Sequence, residues 1–98
     1  MTLIEVRDQH GLNIRQVAKL LGNTVGTITT YCSTDSDRSR ELADNLDNMI
    51  KNAYDVAEIK LGDKRIRDVA IKQVAKQIIM RNYRLGTEAY RIFSILSS

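Results

Sequence analysis

The 98-residue chain is poor in the residue types from which catalytic and metal sites are built. It has one cysteine, one histidine and neither proline nor tryptophan. The single Cys32 excludes an internal disulfide and a cysteine-built metal cluster, and neither metal-ligand spacing nor a glycine-rich phosphate loop occurs. His10 directly precedes Gly11, as expected for the last residue of a helix before its glycine cap. We therefore expect no enzyme, no metal and no small-molecule cofactor.

Cys32 also lacks the neighbours that would make it a redox switch. No lysine or arginine lies within five residues of it in the sequence. A thiol needs such cations to lower its pKa and become reactive. The pattern favours a structural cysteine.

Long hydrophobic runs are missing as well. The longest uncharged stretch, residues 20–34, is rich in threonine, glycine and serine and is unsuited to spanning a bilayer. Glu5, Arg7 and Asp8 place charges too early for a signal peptide, and we expect none. Together with the single cysteine, these features predict a cytoplasmic protein with no membrane partner.

The composition is that of a globular domain, with 43% hydrophobic and 28% charged residues. A chain of this length buries only about two-thirds of its unfolded surface, so a partner subunit would add stability. Fifteen basic and twelve acidic residues give a net charge of +3, which permits nucleic acid as a partner. The composition alone does not show that nucleic acid is the partner.

Helical periodicity dominates the chain and predicts an all-α fold of five or six helices. Asn13 and Thr24 are suited to cap helices, and Gly22 to end one, because of their side-chain oxygens and backbone freedom respectively. Gly86 is expected to end a later helix. The predicted helices cover approximately residues 3–10, 14–21, 25–33, 38–60 and 64–85, with a short one beginning at Thr87.

The later helices carry apolar stripes that we expect to form a dimer interface. One stripe belongs to the predicted fourth helix, one to the fifth, and a few residues to the last. They are Leu42, Leu46, Met49, Ile50, Ala53 and Ala57; Ile66, Ala70, Val74 and Ile78; and Tyr90, Phe93 and Leu96.

The break at Gly62-Asp63 admits two interpretations. Residues 58–61 and 64–67 have the pattern of a short β-hairpin around a two-residue turn. Alternatively, Gly62 ends one helix before the next begins. The apolar steps of four from Ile66 onwards favour the helical interpretation.

Residues 14–33 have the pattern of a helix-turn-helix. Two short helices can cross closely where a small residue such as Ala18 lies, and the turn between them needs a residue that tolerates positive φ, as Gly22 does. Apolar side chains also occur at the offsets that the inward face requires. These are Val17, Leu21, Ile28 and Tyr31.

The stretch from Leu3 to about Ser33 resembles the start of the lambda-repressor-like family, of the Cro and xenobiotic-response-element type. In that family a His/Lys-Gly-Leu-type corner precedes Ala-x-x-Leu-Gly and Gly/Ser-Thr-Ile/Val-Ser/Thr-x-Tyr. The corresponding segments here are residues 10–12, 18–22 and 26–31. The helix after Asp37 would be the family's fourth. Ile14 departs from the pattern, since family members commonly have glutamine there.

The resemblance implies that the third helix enters the major groove of DNA while the second crosses the backbone. Valine and threonine methyls would contact thymine methyl groups, and threonine hydroxyls would pair with either base type. Arg, Gln and Asn, which make bidentate base contacts, are absent from the recognition face. The implied DNA-binding residues are Arg15, Gln16, Asn23, Thr24, Val25, Gly26, Thr27, Thr29, Thr30 and Ser33.

Charge is unevenly distributed between the two halves of the chain. Residues 1–49 hold five basic and seven acidic side chains, net −2, and residues 50–98 hold ten basic and five acidic, net +5. The second half would either attract phosphates or form the solvated face of amphipathic helices. The basic residues concerned are Lys60, Lys64, Arg65, Arg67, Lys72, Lys76, Arg81, Arg84 and Arg91.

The sequence thus predicts a helix-turn-helix domain over residues 1–58 and a helical dimerisation or accessory element over residues 59–98, with the two packed as one compact unit. The leading hypothesis is a homodimeric transcriptional regulator, a repressor of phage, plasmid or bacterial type, that binds double-stranded DNA. One alternative is a DNA-coating, partition or recombination accessory protein with weak sequence preference. A second is a protein-interaction module built on a helix-turn-helix scaffold.

Overall fold

A computed structural model of the chain describes residues 1–60, 64–81 and 83–97, without the side chains of residues 64, 66 and 83–86. Within this description the fold is all-helical, with six helices and no strand, which confirms the predicted fold class. The helices are α1 (Leu3–Gln9), α2 (Ile14–Leu21), α3 (Val25–Ser33), α4 (Asp37–Val56), α5 (Lys64–Arg81) and α6 (Tyr83–Leu96).

Local chemistry accounts for where the first four helices begin. Thr2, Asn13 and Thr24 have extended backbones, and their side chains accept hydrogen bonds from the third residue of α1, α2 and α3 respectively. The Ser36 hydroxyl accepts from the Ser39 amide at 3.2 Å in the first turn of α4. Each cap satisfies an amide that the helix itself leaves without an acceptor.

The chain divides into two compact units, residues 1–48 and 49–98, whereas the sequence predicted one compact unit with an element boundary after residue 58. The core of the first unit combines side chains from α1, α2, α3 and the first part of α4. Its buried apolar residues are Leu3, Val6, Leu12, Val17, Ala18, Leu20, Ile28, Leu42, Ala43 and Leu46.

A polar pair lies within this first unit. The His10 Nε2 and Asp47 Oδ1 atoms are 2.9 Å apart, and the two residues are only 2% and 8% exposed. His10 also ends α1, because it is followed by Gly11, whose φ of +64° is left-handed. The predicted helix end is therefore present, and its histidine has a hydrogen-bonding role.

The second unit is built on α5 and α6, which pack against each other, and on the last part of α4. The rings of Tyr54 and Phe93 meet edge to face with their centroids 5.5 Å apart. Such a geometry is favourable for aromatic pairs. The buried apolar residues of this unit are Ile50, Ala53, Tyr54, Ile71, Ile78, Ala89, Ile92 and Phe93.

The hairpin interpretation and the helix end predicted at Gly86 are wrong, whereas the favoured helical interpretation of residues 64–67 agrees with the structure. The hairpin is not formed, because residues 64–67 belong to α5 and Glu58 lies in a turn with a φ of +57°. The turn proposed at Gly62-Asp63 falls outside the described residues. Gly86 does not end a helix, since α6 passes through it from Tyr83. A glycine inside a helix costs about 1 kcal/mol relative to alanine, which tertiary packing can outweigh.

About half of the apolar residues expected at a dimer interface are buried inside the chain itself. They are Leu42, Leu46, Ile50, Ala53, Ile78 and Phe93. A side chain buried in its own unit cannot also contact a second subunit. The apolar residues of the second unit that are exposed are Val56, Val69, Ile79, Met80 and Tyr90.

Candidate nucleic-acid interface

The α2 helix is fixed at its start by a reciprocal pair of hydrogen bonds. The Asn13 side-chain oxygen accepts from the Gln16 amide, and the Gln16 Oε1 accepts from the Asn13 amide, both at 2.9 Å. Gln16 is only 8% exposed as a result. Of the two α2 residues expected to contact the DNA backbone, Gln16 is therefore used in the cap of the helix, whereas Arg15 is exposed.

The turn between α2 and α3 depends on Gly22. Its φ of 69° and ψ of 31° are left-handed, and its amide donates to the Ala18 carbonyl. The Asn23 amide donates to the same carbonyl at 2.9 Å. Thr24 then caps α3, with its Oγ1 accepting from the Thr27 amide at 3.2 Å. Three residues between the helices suffice only because a glycine can adopt this conformation.

One side of α3 faces the core and the other faces outward. Ile28 is fully buried, as is Val17 of α2, while Leu21 and Tyr31 are half-buried. The predicted inward residues thus all lie at reduced exposure. The Ser39 hydroxyl donates to the Tyr31 carbonyl at 2.8 Å, which ties the end of α3 to the start of α4.

The outward side of α3 consists of small side chains. Val25 is 43% exposed, and a Cβ added to Gly26 would meet no atom within 4 Å. At 100° per residue, Val25, Gly26, Thr29, Thr30 and Ser33 share one face of the helix. Every residue of the turn and of α3 that the sequence predicted to face outward is exposed, as is Gly22. The predicted residues are Asn23, Thr24, Val25, Gly26, Thr27, Thr29, Thr30 and Ser33.

The hydroxyl groups of this face donate to the backbone of α3 itself. Thr29 donates to the Val25 carbonyl at 2.8 Å and Thr30 to the Gly26 carbonyl at 3.1 Å. Ser33 is 3.1 Å from the Thr29 carbonyl oxygen and 3.0 Å from that of Thr30. These are the back-bonds that hydroxyl side chains form in helices. The sequence alone does not show which rotamers these side chains adopt, so it does not predict that their hydroxyls bond to the helix backbone.

Of the two helices α2 and α3, only α2 carries basic side chains. Arg15 and Lys19 are one helical turn apart and both exposed, and in the part of the chain that the structure describes neither forms an ion pair. Lys19 was missed by the sequence analysis, although its spacing of four from Arg15 could have indicated it. Arg7 is instead paired with Asp8 at 3.0 Å.

Cys32 lies half-buried on α3. Burial raises the pKa of its thiol, an effect that the nearby Arg7 guanidinium partly opposes and the Asp8 carboxylate reinforces. A raised pKa keeps the thiol protonated at neutral pH, and the protonated form is a poor nucleophile. The environment is therefore that of a structural cysteine.

The basic residues of the second unit differ in exposure. Arg67 is largely buried, with its Nε 3.8 Å from the Asp68 carboxylate, and Arg91 lies 3.3 Å from Glu88. The side chains of Lys64 and Arg84 fall outside the description. Among the described side chains of this unit, the exposed basic residues are Lys51, Lys60, Arg65, Lys72, Lys76, Arg81 and Arg91.

Across the residues described, no three histidine, cysteine or acidic side chains come together as a metal site. No helix in the same part of the chain is long and apolar enough to cross a bilayer. Comparisons of the chain with protein-family models, with curated proteins and with solved structures find no match.

Proposed function

We propose that the protein is a non-enzymatic transcriptional regulator that binds double-stranded DNA as a homodimer and represses by occupying promoter DNA. The observation that carries the proposal is the division of α3 into two faces. Ile28 anchors one face in the core, while Val25, Gly26, Thr29 and Thr30 leave the other exposed and free of bulky groups. A helix of this kind fits the major groove, which is about 12 Å wide.

Phosphate contacts are available next to this face. Arg15 and Lys19 carry exposed charges on α2. At the start of α3, the amides of Val25 and Gly26 have no acceptor within the helix, because the first amides of any helix lack one. Such amides attract anions, and phosphate oxygens are the most abundant anions on DNA.

Dimerisation follows from the small discriminating power of one α3 helix. A bidentate side chain supplies about 1–3 kcal/mol of base discrimination, and α3 has no Arg, Gln or Asn with which to form one. Binding to two half-sites roughly doubles the free energy of base discrimination that one helix provides. The exposed Val69, Ile79 and Met80 of α5 are the apolar residues we assign to the interface. Sedimentation should show a dimer at micromolar concentration, and a species that stays monomeric with and without DNA contradicts this assignment.

Selection from a pool of random duplexes at about physiological salt tests the DNA-binding role, since affinities depend strongly on salt. We expect a two-fold symmetric consensus. The double variant Thr29→Glu/Thr30→Glu should lose it, because two carboxylates on α3 repel the phosphates. The control Asn45→Glu/Asn52→Glu adds the same charge at exposed positions of α4 and should retain it. Binding that survives in both variants contradicts the assignment to α3.

A second candidate is a DNA-coating or accessory protein, which the charge of the second unit favours. Residues 50–98 carry a net charge of +5, and α5 exposes Lys72 and Lys76. This function predicts tight binding without a consensus and a loss of affinity for random DNA in Lys72→Gln/Lys76→Gln. Absence of any DNA binding would instead favour a protein-interaction module.

A further inference from the structure

The hydrogen bonds on α3 determine which chemistry its outer face offers to a base pair. Thr29, Thr30 and Ser33 direct their hydroxyl protons to backbone carbonyls of the same helix. Each hydroxyl oxygen can still accept a hydrogen bond but has no second proton to donate. In this arrangement the hydroxyls offer acceptors to a base, and donation to a base would require breaking the bond to the helix backbone.

The remainder of the face is apolar. Val25 contributes two methyl groups, and Thr29 and Thr30 contribute one each, while Gly26 leaves open space between them. No side chain on α3 carries an amide, guanidinium or ammonium group. The outer face therefore presents methyl groups and hydrogen-bond acceptors, and it presents no side-chain N–H donor.

Base pairs differ in how well they match such a face. In the major groove guanine shows only acceptors, N7 and O6, whereas an A·T pair shows the adenine N6 amino donor and the thymine C5 methyl group. Acceptors of guanine facing α3 would lose water without gaining a partner, which is costly. A thymine methyl would instead be buried against the valine and threonine methyls, which is favourable.

We propose that α3 selects DNA by the C5 methyl group of pyrimidines, with thymine in A·T-rich half-sites as the ligand. The inference rests on the proposed DNA-binding function and names the substrate class of that site. A methyl group at the same position occurs in 5-methylcytosine, which shares this chemistry but brings a guanine as its partner.

The first arm of the test changes only the DNA. In the best duplex from the selection, each thymine is replaced in turn by uracil, which lacks the C5 methyl group. At positions facing α3 we expect each replacement to raise Kd about four-fold, the factor that burial of one methyl-sized group is worth. Next, the sensitive T·A pairs are changed to C·G, with the cytosine either unmodified or C5-methylated. If thymine is the ligand, methylation of the cytosine should recover about four-fold in affinity, and a loss caused by the guanine should remain. If methylation restores the full affinity of the T·A duplex, 5-methylcytosine is the ligand and thymine is overturned.

The second arm separates the methyl group of Thr29 from its hydroxyl. Thr29→Val keeps a methyl group and removes the hydroxyl, while Thr29→Ser keeps the hydroxyl and removes the methyl group. We expect the valine variant to stay sensitive to uracil at the thymine site, because it keeps a methyl group there. The serine variant should lose affinity for the thymine site and become insensitive to uracil there. Both substitutions are at an exposed position, so circular dichroism should show unchanged helix content.

The outcomes separate this inference from the function on which it rests. A selected consensus in which uracil replaces thymine without loss, or a valine variant that fails while the serine variant binds, overturns methyl recognition and leaves sequence-specific binding intact. A failure to select any sequence overturns the proposed function, and methyl recognition with it.

Discussion

The buried His10–Asp47 pair should stabilise the first unit measurably. The Nε2 and Oδ1 atoms are 2.9 Å apart, and the residues are separated by 37 positions in the sequence. An ionised carboxylate has no proton, so the imidazole N–H is the donor. The bond connects the end of α1 to α4, and both side chains are almost excluded from water.

Removing the carboxylate tests the strength of this bond. Hydrogen bonds to charged groups contribute about 1.5–3 kcal/mol, and a buried donor left without an acceptor costs a comparable amount. We therefore expect Asp47→Ala to lower the free energy of unfolding by about 2–3 kcal/mol. Asp47→Asn, which keeps an oxygen acceptor but not the charge, should lose about 1 kcal/mol. Urea unfolding followed by circular dichroism measures both.

A double-mutant cycle with His10→Ala isolates the interaction itself. The coupling free energy should be at least about 1 kcal/mol, since residues in direct contact are not additive. Asp44→Ala is the matched control, because Asp44 is an exposed carboxylate on the same helix, and its effect should stay within about 0.5 kcal/mol. If the two single losses add to within about 0.5 kcal/mol in the double variant, the reasoning about the pair is refuted.

Three further predictions concern backbone, burial and charge. Gly22→Ala places a side chain at a φ of +69° and should lower the free energy of unfolding in urea by about 1 kcal/mol. The control Gly26→Ala has open space at its Cβ and should leave this free energy equal or higher. Equal losses in the two variants would contradict the role of the left-handed turn. Burial raises the pKa of Tyr54 to about 12, so the unfolded chain releases this proton near pH 10 and the folded protein only near pH 12. Stability should therefore fall by about 2–3 kcal/mol as pH rises through that window, and Tyr54→Phe should abolish this part of the fall, with tyrosinate absorbance as the check. Among the described residues the Tyr54 hydroxyl has no hydrogen-bond partner, so the same variant should not lose stability at pH 7. Arg15→Gln and Lys19→Gln should each lower the salt dependence of DNA binding by about one phosphate contact, and an unchanged slope would exclude them from the interface.

The local features of the first unit could be predicted from sequence because their causes are local. Asn13 and Thr24 cap the residues directly after them, and Gly22 is the residue type that a left-handed turn requires. The exposed set on α3 follows from helical periodicity once Ile28 is taken as buried. These signals lie within a few positions of one another.

The remaining features depend on packing between distant segments. Nothing in the sequence pairs His10 with Asp47. The apolar stripe around Leu46 indicates burial, but the pattern is the same whether the partner is the same chain or a second subunit. Gly86 reads as a helix end on propensity alone, and its inclusion in α6 requires knowledge of the surrounding contacts.

If α3 binds DNA as proposed, its two faces make its specificity separable from its stability. The residues that fix the helix in the first unit are Ile28, the Thr24 cap and the Gly22 turn. Thr29 and Thr30, on the outer face, direct their hydroxyls back into their own helix and face solvent. New side chains at these two positions would change what the surface recognises while leaving the folded unit in place. Under the proposed function, the helix would provide a scaffold on which recognition can diversify by few substitutions, through evolution or through a library of designed variants.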